Sequence, residues 1–319
     1  MDAIETDGLT RSYGGARGIV DLDLRVPTGT VFGFLGPNGA GKTTTIRLLL
    51  DFLRPASGVA RVLGLDSHLD SVAIRRRVGY LPGDPALYEH LTARELLQWL
   101  ARLRGQRGLR LAEDLAARFR LDLERPIRAL SRGNRQKVAL VQAFMHEPEL
   151  LLLDEPTAGL DPLVQYQFHE LVREVVERGA TVFLSSHVLD EVQHLCDHVG
   201  IVRDGRLIVT DAVATIRARA VREVTIRFAA PVDPARFAAL PGVRDVNLRD
   251  ATLQLHFSGS ADPLVKLASE FEVLDLSHAN GTTPLENGLP AANYGILRAA
   301  CVVLLGATVT VFERRNLAR

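Results

Sequence analysis

Residues 36–43 constrain this chain most strongly, because they read Gly-Pro-Asn-Gly-Ala-Gly-Lys-Thr and match the phosphate-binding loop pattern G-x-x-x-x-G-K-[ST] in full. A short apolar run, residues 31–35, precedes the loop, and residues 44–50 have the composition of a helix. In a strand–loop–helix unit of this kind, backbone N–H groups and the helix N-terminus point at phosphate oxygens. The sequence therefore predicts an α/β unit that binds a nucleoside triphosphate.

The residues of this loop have distinct expected roles. The Lys42 ammonium can reach the β- and γ-phosphates, and the Thr43 hydroxyl can reach Mg²⁺. Lysine occurs only at positions 42, 137 and 266, all other basic residues being arginine, so position 42 retains a flexible point charge in an arginine-rich chain. We expect the nucleotide to contact Gly36, Pro37, Asn38, Gly39, Ala40, Gly41, Lys42, Thr43 and Thr44.

A second apolar run, residues 150–153, ends in the carboxylates Asp154 and Glu155. At the carboxyl end of a buried strand, where ligands of open α/β sheets bind, Asp154 is the expected Mg²⁺ partner. Glu155 is the candidate general base for an attacking water. Alone, the pair could simply be two charges at the end of a strand, but the phosphate loop favours the chemical interpretation.

Residues 130–137 read Leu-Ser-Arg-Gly-Asn-Arg-Gln-Lys, which alone predicts a helix start capped by Ser131. Beside the two preceding motifs, this stretch resembles the signature motif of ATP-binding-cassette (ABC) ATPases, usually Leu-Ser-Gly-Gly-Gln. Arg132 and Asn134 depart from that form, whereas Ser131 and Gly133 keep it. The resemblance implies that Ser131, Gly133 and Asn134 contact the nucleotide, with Ser131 and Gly133 facing a γ-phosphate.

Further stretches follow the order of the same family. The resemblance implies that Tyr13, placed before the run taken as the first strand, stacks on adenine, although a surface tyrosine in a turn would give the same pattern. Gly159-Leu160-Asp161 resembles the family's loop between paired subunits. His187, which follows the apolar run 181–184, resembles the switch histidine that contacts the γ-phosphate.

One position departs from the family more seriously. The family has a glutamine after the strand that residues 78–82 resemble, and this glutamine links the metal or water to the membrane partner. Here Gly83 and Asp84 follow instead. Glycine cannot make that contact, and whether Asp84 replaces it stays open.

The resemblance covers roughly residues 4–210 and implies a P-loop NTPase fold that binds ATP and Mg²⁺, with Lys42, Glu155 and His187 as catalytic residues. It implies the ATP-hydrolysing subunit of a drug or antibiotic exporter, at the cytoplasmic face of the plasma membrane. One phosphate loop and one signature imply two composite sites between two copies, with a separate membrane permease.

The alternative is a soluble ABC ATPase acting on DNA or ribosomes, but tandem cassettes and coiled-coil insertions are not visible. A phosphotransferase would leave the signature and His187 unexplained.

Composition fits an intracellular enzyme. The 319 residues include 38 basic and 38 acidic ones, and this balance argues against a nucleic-acid partner. The chain has only two cysteines, Cys196 and Cys301, too few for a disulfide scaffold or a cysteine-based metal site. The N-terminus lacks an apolar secretion core, so no signal peptide is expected.

We predict three regions along the chain. Residues 1–215 form the ABC ATPase domain, with a helical subdomain at about 85–145 that includes helices at 93–103 and 111–119. Residues 222–278 alternate as β-α-β-β-α-β, which predicts a small α+β, ferredoxin-like accessory domain, regulatory or dimer-supporting. Residues 288–319 form an apolar C-terminal segment. Its uncharged part, 299–312, is short for a membrane span, so it could be a fusion remnant, an interfacial helix or a helix packed on the small domain.

Overall fold

The computed structural model describes residues 2–14, 16–105, 108–219, 222–258 and 262–278. The chain divides into two compact units between Asp211 and Ala212. The elements of the first unit are β1 (Asp2–Tyr13), β2 (Ala16–Pro27), β3 (Val31–Leu35), α1 (Lys42–Leu49), β4 (Ser57–Val62), β5 (Leu65–Asp66), α2 (Ser71–Arg77), β6 (Val78–Leu81), α3 (Ala93–Leu103), α4 (Arg110–Arg118), a 3₁₀ turn (Ile127–Ala129), α5 (Arg132–Phe144), β7 (Leu150–Asp154), α6 (Pro162–Glu177), β8 (Thr181–Ser186), α7 (Leu189–Leu195), β9 (His198–Arg203) and β10 (Arg206–Ala212).

A six-stranded sheet, in the order β10-β9-β3-β8-β7-β6, forms the centre of this unit. Strands β3, β7 and β8 are buried along their whole length, as expected for apolar runs in a parallel sheet covered on both faces. Because β3 and β7 both pair in parallel with β8, Leu35 lies opposite Ser186 and Asp154 opposite Ser185. The phosphate loop and the two carboxylates predicted to be functional therefore leave the sheet at the same edge.

Helix α7 packs on the strand that leads into the phosphate loop. A Cβ atom built on Gly33 of β3 would lie 2.7 Å from Cγ1 of Val192 and 2.9 Å from Sγ of Cys196. A larger residue at position 33 would therefore push this helix away. Within the sheet, the rings of Phe32 and Phe183 stack with centroids 5.8 Å apart, which fixes β3 against β8.

A second sheet, β2-β1-β4-β5, is antiparallel and contains Tyr13. The expectation that Tyr13 precedes the first strand is wrong, because Tyr13 is the last residue of β1 and Val31–Leu35 is the third strand. Register shifts between Thr6 and Leu9, and between Leu9 and Arg11, interrupt the pairing of β1 with β2. Such irregularities break the two-residue alternation by which a strand is recognised in sequence.

Three helices occupy the region predicted to be helical. Helix α3 has the bounds expected from its periodicity, and α4 begins and ends within one residue of the expected 111–119. A reciprocal cap starts α3: the Thr92 hydroxyl accepts from the Glu95 N–H while the Glu95 carboxylate accepts from the Thr92 N–H. Ser131 caps α5 by a single hydrogen bond, in which its hydroxyl oxygen accepts from the Asn134 N–H, as its sequence predicts.

The described elements of the second unit are α8 (Val213–Arg219), β11 (Arg222–Phe228), α9 (Pro234–Ala238), β12 (Val243–Arg249), β13 (Thr252–Phe257), α10 (Asp262–Ala268) and β14 (Val273–His278). Its antiparallel sheet has the order β12-β13-β11-β14. Val224, Ile226 and Phe228 point into a core with Phe237 of α9 and Leu264 of α10. The predicted C-terminal segment 288–319 lies outside the described residues. Among the helices that are described, none combines the length and the hydrophobicity needed to cross a bilayer.

Candidate nucleotide-binding site

The phosphate loop runs from the end of β3 to the start of α1, and its glycines are required by the backbone. Gly41 has φ +108°, a backbone conformation that residues with a side chain rarely adopt. A Cβ there would lie 2.6 Å from Cγ2 of Ile19. A Cβ on Gly36 would lie 2.4 Å from the Val202 carbonyl oxygen. The sequence thus produces a tight loop directly before a helix N-terminus, the geometry that binds phosphate.

Lys42 is folded over this loop and only 5 % exposed. Its ammonium donates to the carbonyl oxygens of Gly36 at 2.7 Å and Pro37 at 3.3 Å. It also forms an ion pair of 3.2 Å with Oε1 of Glu155, an atom that has no hydrogen-bond partner among the described residues. The loop cation and the candidate base therefore meet across the edge of the sheet.

Asp154 is buried beside the loop, and both of its carboxylate oxygens accept hydrogen bonds. The Thr43 hydroxyl donates to Oδ2 at 2.7 Å, and the Ser185 hydroxyl donates to Oδ1 at 2.5 Å. A Cβ on Gly83 would lie 3.3 Å from Oδ2, so the position where the family has glutamine adjoins this carboxylate. Carboxylate and hydroxyl oxygens are hard donors of the kind that Mg²⁺ prefers.

Glu155 is held in an unusual backbone conformation, with φ +49°. Its N–H lies 3.2 Å from both the carbonyl and the hydroxyl oxygen of Ser185. Its Oε2 lies 2.8 Å from Nδ1 of His187, whose side chain is half exposed. Lys42, Glu155 and His187 thus form one contiguous group, in which the carboxylate lies between the two nitrogen groups. A strained backbone at such a point is typical of functional sites.

Comparison with known proteins identifies the family. The family model described as ABC transporter matches residues 19–158. The bacitracin transport ATP-binding protein BcrA of Bacillus licheniformis is 39 % identical over 208 residues, which are 64 % of this chain and 68 % of that protein. The chain belongs to the ATP-binding subunits of ABC transporters. The family predicted from the motifs is confirmed.

Two further relatives support this ABC assignment. The daunorubicin/doxorubicin resistance ATP-binding protein DrrA of Streptomyces peucetius is 40 % identical over 220 residues, covering 67 % of each chain. The solved structure of an ABC transporter ATP-binding subunit superimposes with a TM-score of 0.63 at 32 % identity, over 67 % of this chain and 92 % of that one. The α/β ABC ATPase fold is therefore shown, and with it membership of an ATP-hydrolysing family.

In this ABC subunit, Gln136 links the signature helix to the loop that carries Glu155. Its side chain is 4 % exposed, and Nε2 donates to the carbonyl oxygen of Pro156 at 3.1 Å. Sequence reasoning missed both Gln136 and Ser185. The available signal for Gln136 was a polar residue beside the apolar stretch 138–141, which a buried helix face tolerates only with a partner.

The signature residues do not meet the phosphate loop of their own chain. Ser131 is exposed, and its hydroxyl oxygen accepts from the Asn134 N–H at 3.3 Å. Between the residues that the structure describes, no hydrogen bond joins Ser131, Gly133 or Asn134 to the loop. A Cβ on Gly133 would lie 2.7 Å from the Gly159 carbonyl oxygen, so the signature packs against the loop that follows Glu155.

Tyr13 is 41 % exposed, and the Arg11 guanidinium lies 5.4 Å from the centre of its ring. It ends one strand of the β1–β2 hairpin, and Ile19 of the same hairpin approaches Gly41 of the phosphate loop. An exposed ring on this hairpin is available for stacking.

Proposed function

We propose that this ABC subunit hydrolyses ATP to power export of a drug, an antibiotic or another small molecule or lipid through a separate permease, at the cytoplasmic face of the plasma membrane. The observation that carries the proposal is the contiguous group of Lys42, Glu155 and His187 beside the Thr43–Asp154 pair. The export class is supported by relatives named for bacitracin transport and for daunorubicin/doxorubicin resistance.

In this proposal, ATP binds with its phosphates on the loop, in contact with Gly36, Pro37, Asn38, Gly39, Ala40, Gly41, Lys42, Thr43 and Thr44. The ion pair between Lys42 and Glu155 then breaks, and the Lys42 ammonium contacts the β- and γ-phosphates instead. The released Glu155 carboxylate orients a water and accepts its proton as the water attacks the γ-phosphate. His187 contacts the γ-phosphate and limits the positions that Glu155 can take.

The Thr43 hydroxyl and the Asp154 carboxylate would hold Mg²⁺, since both supply oxygen donors and already lie within hydrogen-bonding distance. Bound there, Mg²⁺ would neutralise phosphate charge. Gly83 adjoins Asp154 but has no side chain with which to reach a permease. Asp84, the next residue in the chain, is therefore our candidate for the contact made by the family glutamine.

Each complete site would use two copies of the chain. Ser131, Gly133 and Asn134 lie at the N-terminus of α5 and leave their own phosphate loop uncontacted, which suits them to face the nucleotide of a second copy. Tyr13 would stack on the adenine of the nucleotide bound by its own chain. The proposed assembly therefore holds two ATP molecules between two subunits.

The domain assignment follows the same division. We assign residues 1–215 to the ATPase domain, with the helical subdomain at about 85–145, and residues 222–278 to an accessory domain. We propose a ferredoxin-like fold for the accessory domain, supported by its β-α-β-β-α-β order and by the position of β11 between β13 and β14. A regulatory or dimer-supporting role suits a unit without a catalytic cluster among its described residues.

Affinity purification of the tagged full chain from membranes of cells that express it tests the proposal. We expect a membrane permease to co-purify and, after reconstitution, to stimulate ATP hydrolysis in the presence of an anthracycline or a peptide antibiotic. The Lys42→Ala variant serves as the control, since it should retain the permease but not the hydrolysis. Recovery of ribosomes or DNA in place of a permease would contradict an export function.

A further inference from the structure

Glu191 is a buried carboxyl group that the proposed hydrolysis does not use. It lies on α7, shortly after His187, and is 8 % exposed. The Ser186 hydroxyl donates to its Oε2 at 2.6 Å. Ser186 immediately precedes His187, so this bond acts on the backbone that carries the histidine.

Ser186 connects the segment that carries His187 with the phosphate loop. Its hydroxyl oxygen accepts from the Val188 N–H at 3.0 Å, which brackets His187 on both sides. Its carbonyl oxygen accepts from the Gly36 N–H at 3.2 Å, at the first residue of the phosphate loop. The position of this serine therefore affects both the histidine and the phosphate loop.

The same carboxyl group faces the loop that follows Glu155. Burial raises the pKa of Glu191, while side-chain hydrogen bonding from Ser186 and Thr157 lowers it to a smaller extent. Thr157 is two residues beyond Glu155. The hydrogen bond from Ser186 joins Glu191 to the strand end that also accepts the Glu155 N–H at Ser185.

Packing alone does not explain a glutamate here. Its Oε1 is buried and has no hydrogen-bond partner among the described residues, and such an atom costs stability. An apolar side chain of the same length would fill the space without that cost. The helix itself is held by Val192 and Cys196 against Gly33, so Glu191 is fixed relative to the strand that leads into the phosphate loop.

We propose that Glu191 is a positioning residue for ATP hydrolysis. Its carboxyl group holds Ser186, which lies between His187 and Ser185, the acceptor of the Glu155 N–H, and this maintains the distance of 2.8 Å between Oε2 of Glu155 and Nδ1 of His187. It does not itself touch the nucleotide. The proposal rests on the roles proposed above for Glu155 and His187.

The test compares Glu191→Gln with Glu191→Met in the full chain. The two side chains have nearly the same volume, but only the amide retains an oxygen that can accept from Ser186. We expect Glu191→Met to lower kcat by about tenfold or more, because small displacements of catalytic groups are costly. Its KM for ATP should stay within about threefold of the parent, since the loop residues are unchanged and Ser186 contacts the loop through its backbone carbonyl, which the substitution leaves in place. Glu191→Gln should keep kcat within about threefold of the parent.

Asp190→Asn on the same helix is the matched control, since that side chain is 64 % exposed, and it should behave as the parent. Ser186→Ala removes the hydroxyl that donates to Glu191 and should lower kcat to the same extent. It replaces Glu191→Met in the test if that variant does not fold. Equal kcat in Glu191→Gln and Glu191→Met, or parental kcat in Ser186→Ala, would overturn the positioning role. A parental rate in Glu155→Gln would instead remove the base assignment, so the two failures are distinguishable.

Discussion

Nζ of Lys42 lies 3.2 Å from Oε1 of Glu155, so the cation of the phosphate loop and the candidate base neutralise each other. A γ-phosphate that takes Lys42 must therefore release the carboxylate. In the proposed mechanism, binding of the substrate and exposure of the base are the same event. Without nucleotide, Glu155 keeps Lys42 as its partner, so the carboxylate does not activate water until a phosphate group replaces it on Lys42.

Glu155→Gln should lower the ATPase kcat by on the order of 10²-fold or more, because the amide keeps the shape but accepts a proton poorly. Mg-ATP should still bind, since Lys42, Thr43 and Asp154 are unchanged. Size-exclusion chromatography should then show an ATP-dependent shift from monomer to dimer around uncleaved nucleotide. Turnover near the parental rate would mean that another group is the base.

Lys42→Ala should remove most ATP binding and hydrolysis, because the charge opposite the β- and γ-phosphates is lost. Binding of a fluorescent ATP analogue, titrated against the parent, measures this effect. Lys266→Ala is the matched control, since that side chain is 73 % exposed in the second unit. If Lys42→Ala bound ATP as tightly as this control, the loop would not be the phosphate site.

Ser131→Ala should abolish hydrolysis and leave ATP binding by the monomer unchanged, because Ser131 would serve the site of the partner copy. Mixing Ser131→Ala with Lys42→Ala should restore part of the activity. In a mixed dimer, the intact loop of one chain meets the intact signature of the other at one of the two sites. An inactive mixture, or parental activity in Ser131→Ala alone, would argue against a site shared by two chains.

His146→Gln should make stability less dependent on pH below 7. Burial, and secondarily the nearby Arg104, lowers the pKa of His146 to about 4 from 6.5, against a hydrogen bond to the Val78 carbonyl that raises it. The unfolded chain therefore binds a proton between these values that the folded chain does not, and stability falls as pH drops through this window. The group is partly exposed, so we expect an effect of about 1 kcal/mol, or roughly 2–4 °C in Tm between pH 7 and pH 5.

Thermal unfolding at several pH values measures this effect, and the exposed His90→Gln is the control. The melting temperature of His146→Gln should decline less steeply with acid than that of either the parent or the control. Identical slopes in all three proteins would show that His146 does not carry this pH dependence.

Contiguous segments were predictable from sequence, whereas contacts between distant segments were not. The phosphate loop, Asp154 and α3 follow local patterns of glycine spacing, apolar runs and helical periodicity. The hydrogen bond from Ser185 to Asp154 joins residues 31 apart, and that from Gln136 to Pro156 joins helix α5 to the loop after β7. No local pattern specifies such pairs, because they depend on which strands become neighbours. The position of Tyr13 at the end of β1 was not predicted, because register shifts in β1 disturb the alternation of apolar and polar residues by which a strand is recognised.

The contact between Gly133 and Gly159 has a mechanical consequence. With no side chain on either residue, backbone meets backbone, and neither segment can yield by rotating a side chain. Pressure on the signature must then displace the segment behind it, which begins at Glu155. In a pair of such subunits, the nucleotide bound at one site would contact the signature of the partner and displace the Glu155 segment of that partner. Occupancy of one site would thereby affect hydrolysis at the other through the main chain.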